Sequence, residues 1–244
     1  MGKIAAFFDI DGTLYRDSLM VEHFKKLIKY DIIDQKAWFE HARDTFMDWD
    51  KRQGHYDDYL DEICDLYVKS LIGLDKTCID FTSDQVIALK AERVYKYTRS
   101  RIKWHLDNGH KVIFISGSPD FLVKKMAEKY NITDYRGSIY VFKDNAFTGE
   151  VIPMWDSVSK NKAIDELVEK YNLDLNQSYA YGDTNGDINM LRRVGNPIAI
   201  NPTKELLLHI NQDETLAKTT KIIVERKDII YSLDPSVKLY ENDL

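Results

Sequence analysis

The sequence predicts a doubly wound α/β fold, with a mainly parallel β-sheet between helices and an all-helical insert after the first strand. Short apolar runs of strand length alternate with helical patterns over much of the chain, which is typical of parallel sheets. Several of these runs end in Gly, Ser or Asp, at the edge where open α/β sheets bind ligands. From residue 18 to about residue 102 strand-like runs nearly vanish, and apolar residues recur every three or four positions.

The first predicted strand lies within residues 4–14 and carries two acids at its end. Its apolar residues lead into Asp9 and Asp11, and Gly12 follows. Side chains alternate along a strand, so both carboxylates would leave the backbone on the same side. A sharp turn at Gly12 would leave the backbone carbonyl of Asp11 facing the same place. Asp-Gly is also common in ordinary turns, but the apolar strand before it favours a functional site.

Helical spacing after the first strand predicts four helices. Ser18 is a suitable N-cap for the first, which runs to about residue 30. The second spans about 35–51 and the third about 56–72, and the fourth begins after Thr82-Ser83-Asp84 and continues to about 108. Aromatic residues in this insert favour a helix-bundle core, and they are also consistent with a pocket for an apolar or quaternary-ammonium group: Trp38, Phe39, Trp49, Tyr56 and Tyr59.

Strand–helix alternation resumes after residue 109. Strands are predicted at 111–115, 178–181 and 197–200, and helices at about 120–130, 160–171 and 187–194. Residues 138–149 predict a hairpin, and residues 221–226 predict an edge strand. We therefore expect a discontinuous α/β core of residues 1–14 and 105–244. A helical domain of residues 15–104 would lie over the site as a lid.

Carboxylates at the strand ends predict a metal site. Two crowded carboxylates favour a cation or a proton between them, and Mg²⁺ takes oxygen ligands of this kind. Asp183 and Asp187 follow a later strand and are close enough in sequence to reach one cation. The alternative for this pair is an Asn-Gly turn followed by a capping Asp.

Two further segments suit a phosphate group. Ser116 and Gly117 offer a hydroxyl and a backbone amide to a phosphate oxygen, although Ser before Pro is also common in routine turns. Lys160 begins a predicted helix and would neutralise charge on a transferring phosphoryl group. Lys162 competes for this role, and a solvated surface lysine is the alternative for both.

The composition argues against two classes of partner. The 244-residue chain has a net charge of −6, which leaves no basic surplus for a nucleic acid. No run approaches the ~20 apolar residues of a membrane helix, and no signal peptide is visible. We therefore expect a cytoplasmic protein without a membrane span.

In their order along the chain, these residues resemble the four motifs of the haloacid dehalogenase superfamily. The first motif is Asp9-Ile10-Asp11-Gly12-Thr13-Leu14, the second is Ile115-Ser116-Gly117-Ser118, the third is Lys160, and the fourth is Tyr181-Gly182-Asp183-Thr184-Asn185-Gly186-Asp187. The helical insert is similar to the type 1 cap of that superfamily, on a Rossmann-like core. The hairpin ending at residues 147–150 and the residues of the fourth motif resemble those of subfamily IB, which contains phosphoserine phosphatase.

The resemblance implies a role for each motif residue. Asp9 would attack phosphorus and form an aspartyl-phosphate, while Asp11 would protonate the leaving alcohol and later take a proton from water. Mg²⁺ would be held by Asp9, the carbonyl of Asp11 and Asp183, with Asp187 in support. The phosphoryl oxygens would be held by Ser116, Gly117 and Lys160.

We therefore expect a Mg²⁺-dependent phosphomonoesterase that acts on a small phosphorylated metabolite. The alternatives are a phosphotransferase or phosphomutase with the same aspartyl-phosphate chemistry, and a non-catalytic phosphate-binding module. Phosphoserine phosphatases carry a Glu where this chain has Ser18, and Glu22 lies a turn further on. This departure predicts a substrate other than phosphoserine.

Overall fold

One β-sheet passes through the computed structural model, which describes residues 2–51, 53 and 56–238. Within these residues the strands are β1 (Ala5–Phe8), β2 (Lys111–Pro119), β3 (Asp134–Lys143), β4 (Ala146–Ile152), β5 (Tyr179–Gly182), β6 (Asn196–Ile200), β7 (Lys221–Arg226) and β8 (Ile229–Leu233). Their order in the sheet is β4-β3-β2-β1-β5-β6-β7-β8. The six inner strands are parallel, and an antiparallel strand is added at each edge.

The helices fall into a group before β2 and a group after it. The first group is α1 (Leu19–Lys29), α2 (Lys36–His41), α3 (Arg43–Asp50), α4 (Tyr56–Leu71), α5 (Lys76–Lys90) and α6 (Lys96–Asp107). The second group is α7 (Asp120–Lys129), α8 (Ser157–Tyr171), α9 (Ile188–Arg192), α10 (Lys204–Gln212) and α11 (Leu216–Thr219).

Alternate residues of β1 enter two separate apolar cores, one on each face of the sheet. Ala6 and Phe8 belong to a core that includes residues of α1, α4 and α7. Ala5 and Phe7 belong to a second core with residues of α8 and α10. Because both faces are covered, all four residues of β1 are fully buried, which explains why this strand is apolar without alternation. The predicted doubly wound fold with its helical insert is confirmed.

Three predicted elements differ from the structure. The second predicted helix is divided into α2 and α3 at Ala42. Strand β7, which was predicted at the edge of the sheet, pairs with β8, and β8 forms the edge instead. The fourth predicted helix is replaced by two helices, α5 and α6. Helix α5 also begins earlier than predicted, after the N-cap Asp75. Thr82 and Ser83 lie inside α5, where their hydroxyls donate to backbone carbonyls one turn earlier and therefore do not cap a helix.

The aromatic residues of the insert form a packed cluster. Trp38, Phe46, Trp49 and Tyr59 contact one another with ring centroids 5.3–6.5 Å apart. The interpretation as bundle core therefore holds for Trp38, Trp49 and Tyr59. Phe39 faces outward with 56% of its surface exposed, and the side chain of Tyr56 lies outside the described residues.

A buried histidine ties three helices of the insert together. His23 on α1 is fully buried, with Nδ1 2.6 Å from the hydroxyl of Tyr67 on α4 and Nε2 2.7 Å from the hydroxyl of Thr82 on α5. Burial lowers the pKa of His23 to about 3, because the charged ring would lose its hydration. The folded protein therefore keeps this ring neutral.

The buried His23 should lower the free energy of unfolding in acid. Between pH 6.5 and 3 the unfolded chain binds a proton at this ring that the folded chain does not bind, so stability falls as the pH falls. From pH 7 to pH 5 the contribution is about 2 kcal/mol of unfolding free energy. Urea unfolding at both pH values should show that His23→Gln loses less stability than the wild type by about this amount. Equal losses in both proteins would contradict the account.

Among the described helices, none combines the length and the apolarity that crossing a membrane requires.

Candidate active site

Three adjacent strands bring the predicted site residues to one edge of the sheet. Phe8 at the end of β1 is in register with Phe114 on β2 and with Tyr181 on β5. The amide of Asp9 continues this pairing and donates to the carbonyl of Tyr181 at 3.0 Å. The segments that follow in each strand therefore meet at the carboxyl edge, as parallel order requires.

Lys160 lies at the centre of the site. Its Nζ donates to Asp9 Oδ1 at 2.9 Å and to Asp187 Oδ1 at 2.5 Å, and the lysine is almost completely buried. Asp156 fixes the start of α8, because its carboxylate accepts the amides of residues 158 and 159 at 2.8 Å each. Lys160 thus extends from the first turn of a capped helix, whereas Lys162 is exposed.

Three carboxylates converge near this lysine. Asp9, Asp183 and Asp187 each offer an oxygen, and these oxygens lie within 4.8 Å of one another. Asp187 is held on its other oxygen by the amides of Asp183, at 3.0 Å, and Thr184, at 3.3 Å. The orientation of the Asp187 carboxylate is therefore set by contacts on both of its oxygens.

The electrostatics of this cluster suit a divalent cation. Burial raises the pKa of Asp9 to about 8, although the charge of Lys160 lowers it. Burial also raises the pKa of Asp183, and the negative charges of Asp9 and Asp187 raise it further. Burial alone would lower the pKa of Lys160, but Asp187 and Asp9 raise it. One ammonium thus lies among two buried acids and one half-buried acid, whose oxygen atoms are the kind of ligand that Mg²⁺ requires.

Gly12 provides the turn that lets Asp183 approach the first motif. It has a φ of +79°, and a Cβ at this position would lie 2.0 Å from Asp183 Oδ2. Thr13 then donates from its hydroxyl to Asp183 Oδ1 at 2.8 Å. The first and fourth motifs are therefore joined directly through the side chain of Asp183.

Gly12→Ala should disturb Asp183 as well as the backbone. Gly73 is the matched control, since its φ is +80° and no atom lies within 4 Å of a Cβ built there. Both substitutions should cost about 1–2 kcal/mol of stability from the left-handed backbone. Only Gly12→Ala should also weaken binding of Mg²⁺, by more than ~10-fold, because it displaces a carboxylate. Calorimetric titration with Mg²⁺ measures this, and equal affinities in the two variants would contradict it.

Asp11 has a different environment from the three clustered acids. Its Oδ1 accepts the amide of Leu19, the first residue of α1, at 2.9 Å, and its Oδ2 accepts the hydroxyl of Ser118. Burial raises the pKa of Asp11 to about 6, although both hydrogen bonds lower it. Its side chain is therefore directed to the second motif and to the start of the insert.

The second motif is packed tightly against the loop that precedes α8. Ser116 is buried, and its Oγ accepts the amide of Ser118 at 3.2 Å. A Cβ on Gly117 would lie 2.9 Å from the Cβ of Trp155, so only glycine fits there without a shift. The structure thus places Ser116 and Gly117 on the strand next to Asp9, beside the segment that leads to Lys160.

The sequence did not indicate the contacts made by Thr13 and Ser118. Both residues stand inside the quoted motifs, but their partners lie 170 and 107 positions away in the chain. A hydroxyl within a motif was the signal that the sequence offered for each of them, and it does not specify a partner.

Comparison with known proteins identifies the family. Residues 6–192 match the family described as haloacid dehalogenase-like hydrolase. The chain is 28% identical over 210 residues to the phosphoserine phosphatase SerB1 of Mycobacterium tuberculosis, over 83% of this chain and 66% of that protein. A solved structure of a Bordetella pertussis protein with unknown function has a TM-score of 0.69 at 17% identity, over 87% of this chain and 96% of that one. The solved structure of a phospho-aspartyl intermediate analogue of phosphoserine phosphatase has a TM-score of 0.60 at 19% identity, over 93% of this chain and 96% of that one.

These comparisons differ in what they establish. At such low identity the two solved structures show the fold alone. The family match covers more than half of the chain, and all four motifs lie within it. The chain belongs to the haloacid dehalogenase-like hydrolases, as its motifs predict.

Proposed function

We propose that this protein is a Mg²⁺-dependent phosphomonoesterase that hydrolyses a small phosphorylated metabolite through an aspartyl-phosphate on Asp9. The observation that carries the proposal is the buried contact of Lys160 with Asp9 and Asp187, beside Asp183. It combines a carboxylate nucleophile, a cation for the phosphoryl group and a set of metal ligands in one place. Such a combination suits phosphate-ester hydrolysis, which is among the slowest uncatalysed reactions.

The residues that would hold Mg²⁺ are Asp9, Asp183 and the backbone carbonyl of Asp11, with Asp187 in support. Asp187 already has contacts on both oxygens, from Lys160 and from two amides, which suits a supporting role. Bound Mg²⁺ would neutralise charge on the phosphoryl oxygens and orient the ester for attack.

Asp9 would act as the nucleophile, and Asp11 would act as the general acid and base. In the first step a carboxylate oxygen of Asp9 forms a bond to phosphorus, the bond from phosphorus to the leaving oxygen breaks, and Asp11 gives its proton to that oxygen. In the second step a water oxygen bonds to phosphorus, its proton returns to Asp11, and the bond from Asp9 to phosphorus breaks. Asp9 is regenerated, and the products are an alcohol and inorganic phosphate.

The phosphoryl oxygens would be held by Lys160, the hydroxyl of Ser116 and the amide of Gly117. Lys160 is held rigidly by its buried contacts, so little reorganisation is needed when charge develops on the phosphoryl group. Its two carboxylate contacts also explain why Lys160 is a better candidate than the exposed Lys162.

The helical insert would act as the cap. We propose residues 15–104 as a cap domain over a core of residues 1–14 and 105–244, in the manner of subfamily IB. The hydrogen bond from Leu19 on α1 to Asp11 supports this arrangement, because it joins the insert directly to the site. A cap over the site would suit a small molecule better than a nucleic acid. We also propose that the protein works in the cytoplasm.

We infer a substrate other than phosphoserine, although that substrate gives its name to SerB1. Ser18 stands where a Glu would meet the substrate ammonium, and it is buried as the N-cap of α1. Glu22 is not free to replace it, since its carboxylate pairs with Lys25 at 3.4 Å and Lys90 at 3.1 Å. The acidic group that would attract an amine is therefore already neutralised.

Phosphate release from p-nitrophenyl phosphate tests the proposed function. Release in the presence of Mg²⁺ and its loss with EDTA support the phosphatase. Transfer of the phosphoryl group to an added alcohol without free phosphate would identify a phosphotransferase instead. Tight binding of phosphate without turnover of any ester in a metabolite panel would indicate a non-catalytic binding module.

A further inference from the structure

The side chain of Asp11 is held on both of its oxygens by donors from different parts of the fold. Oδ1 accepts the amide of Leu19 at the start of α1, and Oδ2 accepts the hydroxyl of Ser118 near the end of β2. Two donors on two oxygens fix the rotation of a carboxylate about its last bond, which one donor cannot do. The orientation of Asp11 is therefore set by its partners.

We infer that Ser118 is a positioning residue that sets the orientation of Asp11 toward the leaving group. This inference rests on the proposed function, in which Asp11 protonates the leaving oxygen. The amide of Leu19 holds only Oδ1, so without the Ser118 hydroxyl the carboxyl group could turn about that contact. Proton transfer depends on placement, and a displacement of about 1 Å can cost ~10²-fold in rate.

Ser118 is itself fixed by contacts at the end of β2. It is 4% exposed, and its amide donates to the hydroxyl of Ser116 at 3.2 Å. The preceding residue is held as well, because Ser138 donates from its hydroxyl to the carbonyl of Gly117 at 2.7 Å. Replacing Ser118 by Ala removes the donor to Asp11 and leaves the amide contact to Ser116 in place.

The dependence of rate on the leaving group separates this role from a structural one. When an alkyl ester is cleaved, the departing oxygen takes the proton of Asp11 as its bond to phosphorus breaks and the bond from Asp9 to phosphorus forms. A p-nitrophenyl ester needs no such proton, because p-nitrophenolate is a stable anion. The value of kcat/KM reports binding of the ester and this first step, whereas kcat also includes hydrolysis of the aspartyl-phosphate.

The test measures kcat/KM of Ser118→Ala with an alkyl phosphate, β-glycerophosphate or O-phosphoserine, and with p-nitrophenyl phosphate. We expect a loss of ~10–100-fold with the alkyl ester and of less than ~3-fold with the aryl ester. Ser118→Thr, which keeps the hydroxyl, should restore alkyl activity. Ser118→Cys keeps the volume but donates weakly, so it should show the same selective loss if the alanine variant does not fold.

Two controls connect the effect to Asp11. Ser138→Ala removes a hydroxyl that holds the same end of β2 and for which no contact to Asp11 is described, and it should leave the ratio of the two activities unchanged. In an Asp11→Asn background, adding Ser118→Ala should cause no further loss with the alkyl ester, because the two residues act through one group.

The outcomes distinguish this inference from the proposed function. If Ser118→Ala lowers both activities equally, or lowers alkyl activity further in the Asp11→Asn background, Ser118 is structural and the inference is wrong. If the wild type hydrolyses neither class of ester, the proposed function itself is wrong.

Discussion

Asp9→Asn should abolish the release of phosphate from p-nitrophenyl phosphate, with a loss in kcat of more than ~10³-fold. The amide of Asn is neutral and a poor nucleophile, so the covalent step cannot begin. Lys160, Ser116 and Asp183 remain in place, and binding of the ester should therefore survive better than turnover. A phosphate assay at saturating Mg²⁺ measures the loss.

Unfolding of the Asp9→Asn variant would be a trivial explanation for its loss of activity, but the structure predicts that the variant is at least as stable as the wild type. Asp9 is one of three clustered acids near one lysine, and its burial disfavours its charged form. Removing this charge relieves repulsion, so Asp9→Asn should melt at the same temperature as the wild type or higher in EDTA. Asp65→Asn, at a carboxylate that is 79% exposed, is the matched control and should keep full activity. Full Mg²⁺-dependent activity in Asp9→Asn would refute the assigned nucleophile.

Lys160→Met should have the second largest effect, with a loss in kcat of ~10²–10³-fold. The substitution keeps the length of the side chain but removes the cation that contacts Asp9 and Asp187. Charge on the transferring phosphoryl group would then lack one of its partners. Breaking buried ion pairs also leaves carboxylates uncompensated, at a cost of about 3–5 kcal/mol in the absence of metal.

Lys162→Met is the control for this variant. Lys162 lies two positions further along α8 and is exposed, so its loss should change neither kcat nor the melting temperature measurably. The Lys160→Met protein should regain part of its stability on addition of Mg²⁺, because the cation replaces the lost charge. Similar losses of activity in the two variants would contradict the role given to Lys160.

The residues of the site were predictable because strand ends and short motifs are local features. Asp9, Asp11 and Gly12 follow one apolar strand, and the parallel order of the sheet brings Asp183 to the same edge. The choice of Lys160 over Lys162 followed the spacing of the family motifs, and the buried contacts of Lys160 give a physical reason for it.

Several features could not be predicted, because they depend on partners far away in the chain. The hydroxyls of Thr82 and Ser83 resemble a helix start, but Thr82 lies 2.7 Å from His23, across the insert. The break at Ala42 has no Pro or Gly to signal it. Strand β8 is short and is exposed at every residue except its last, so no buried face marks it as part of the sheet in the way that burial marks the inner strands.

The most direct test of the central claim is to trap the covalent intermediate. An aspartyl-phosphate is reduced by borohydride to homoserine, whereas a free carboxylate is not. Wild-type protein quenched during turnover of p-nitrophenyl phosphate with Mg²⁺, then reduced and digested, should carry homoserine at position 9 in mass spectra. The modification should be absent with EDTA or without the ester. Turnover with Asp9 unmodified, or with homoserine at position 11 instead, would contradict the assignment of Asp9 as the nucleophile.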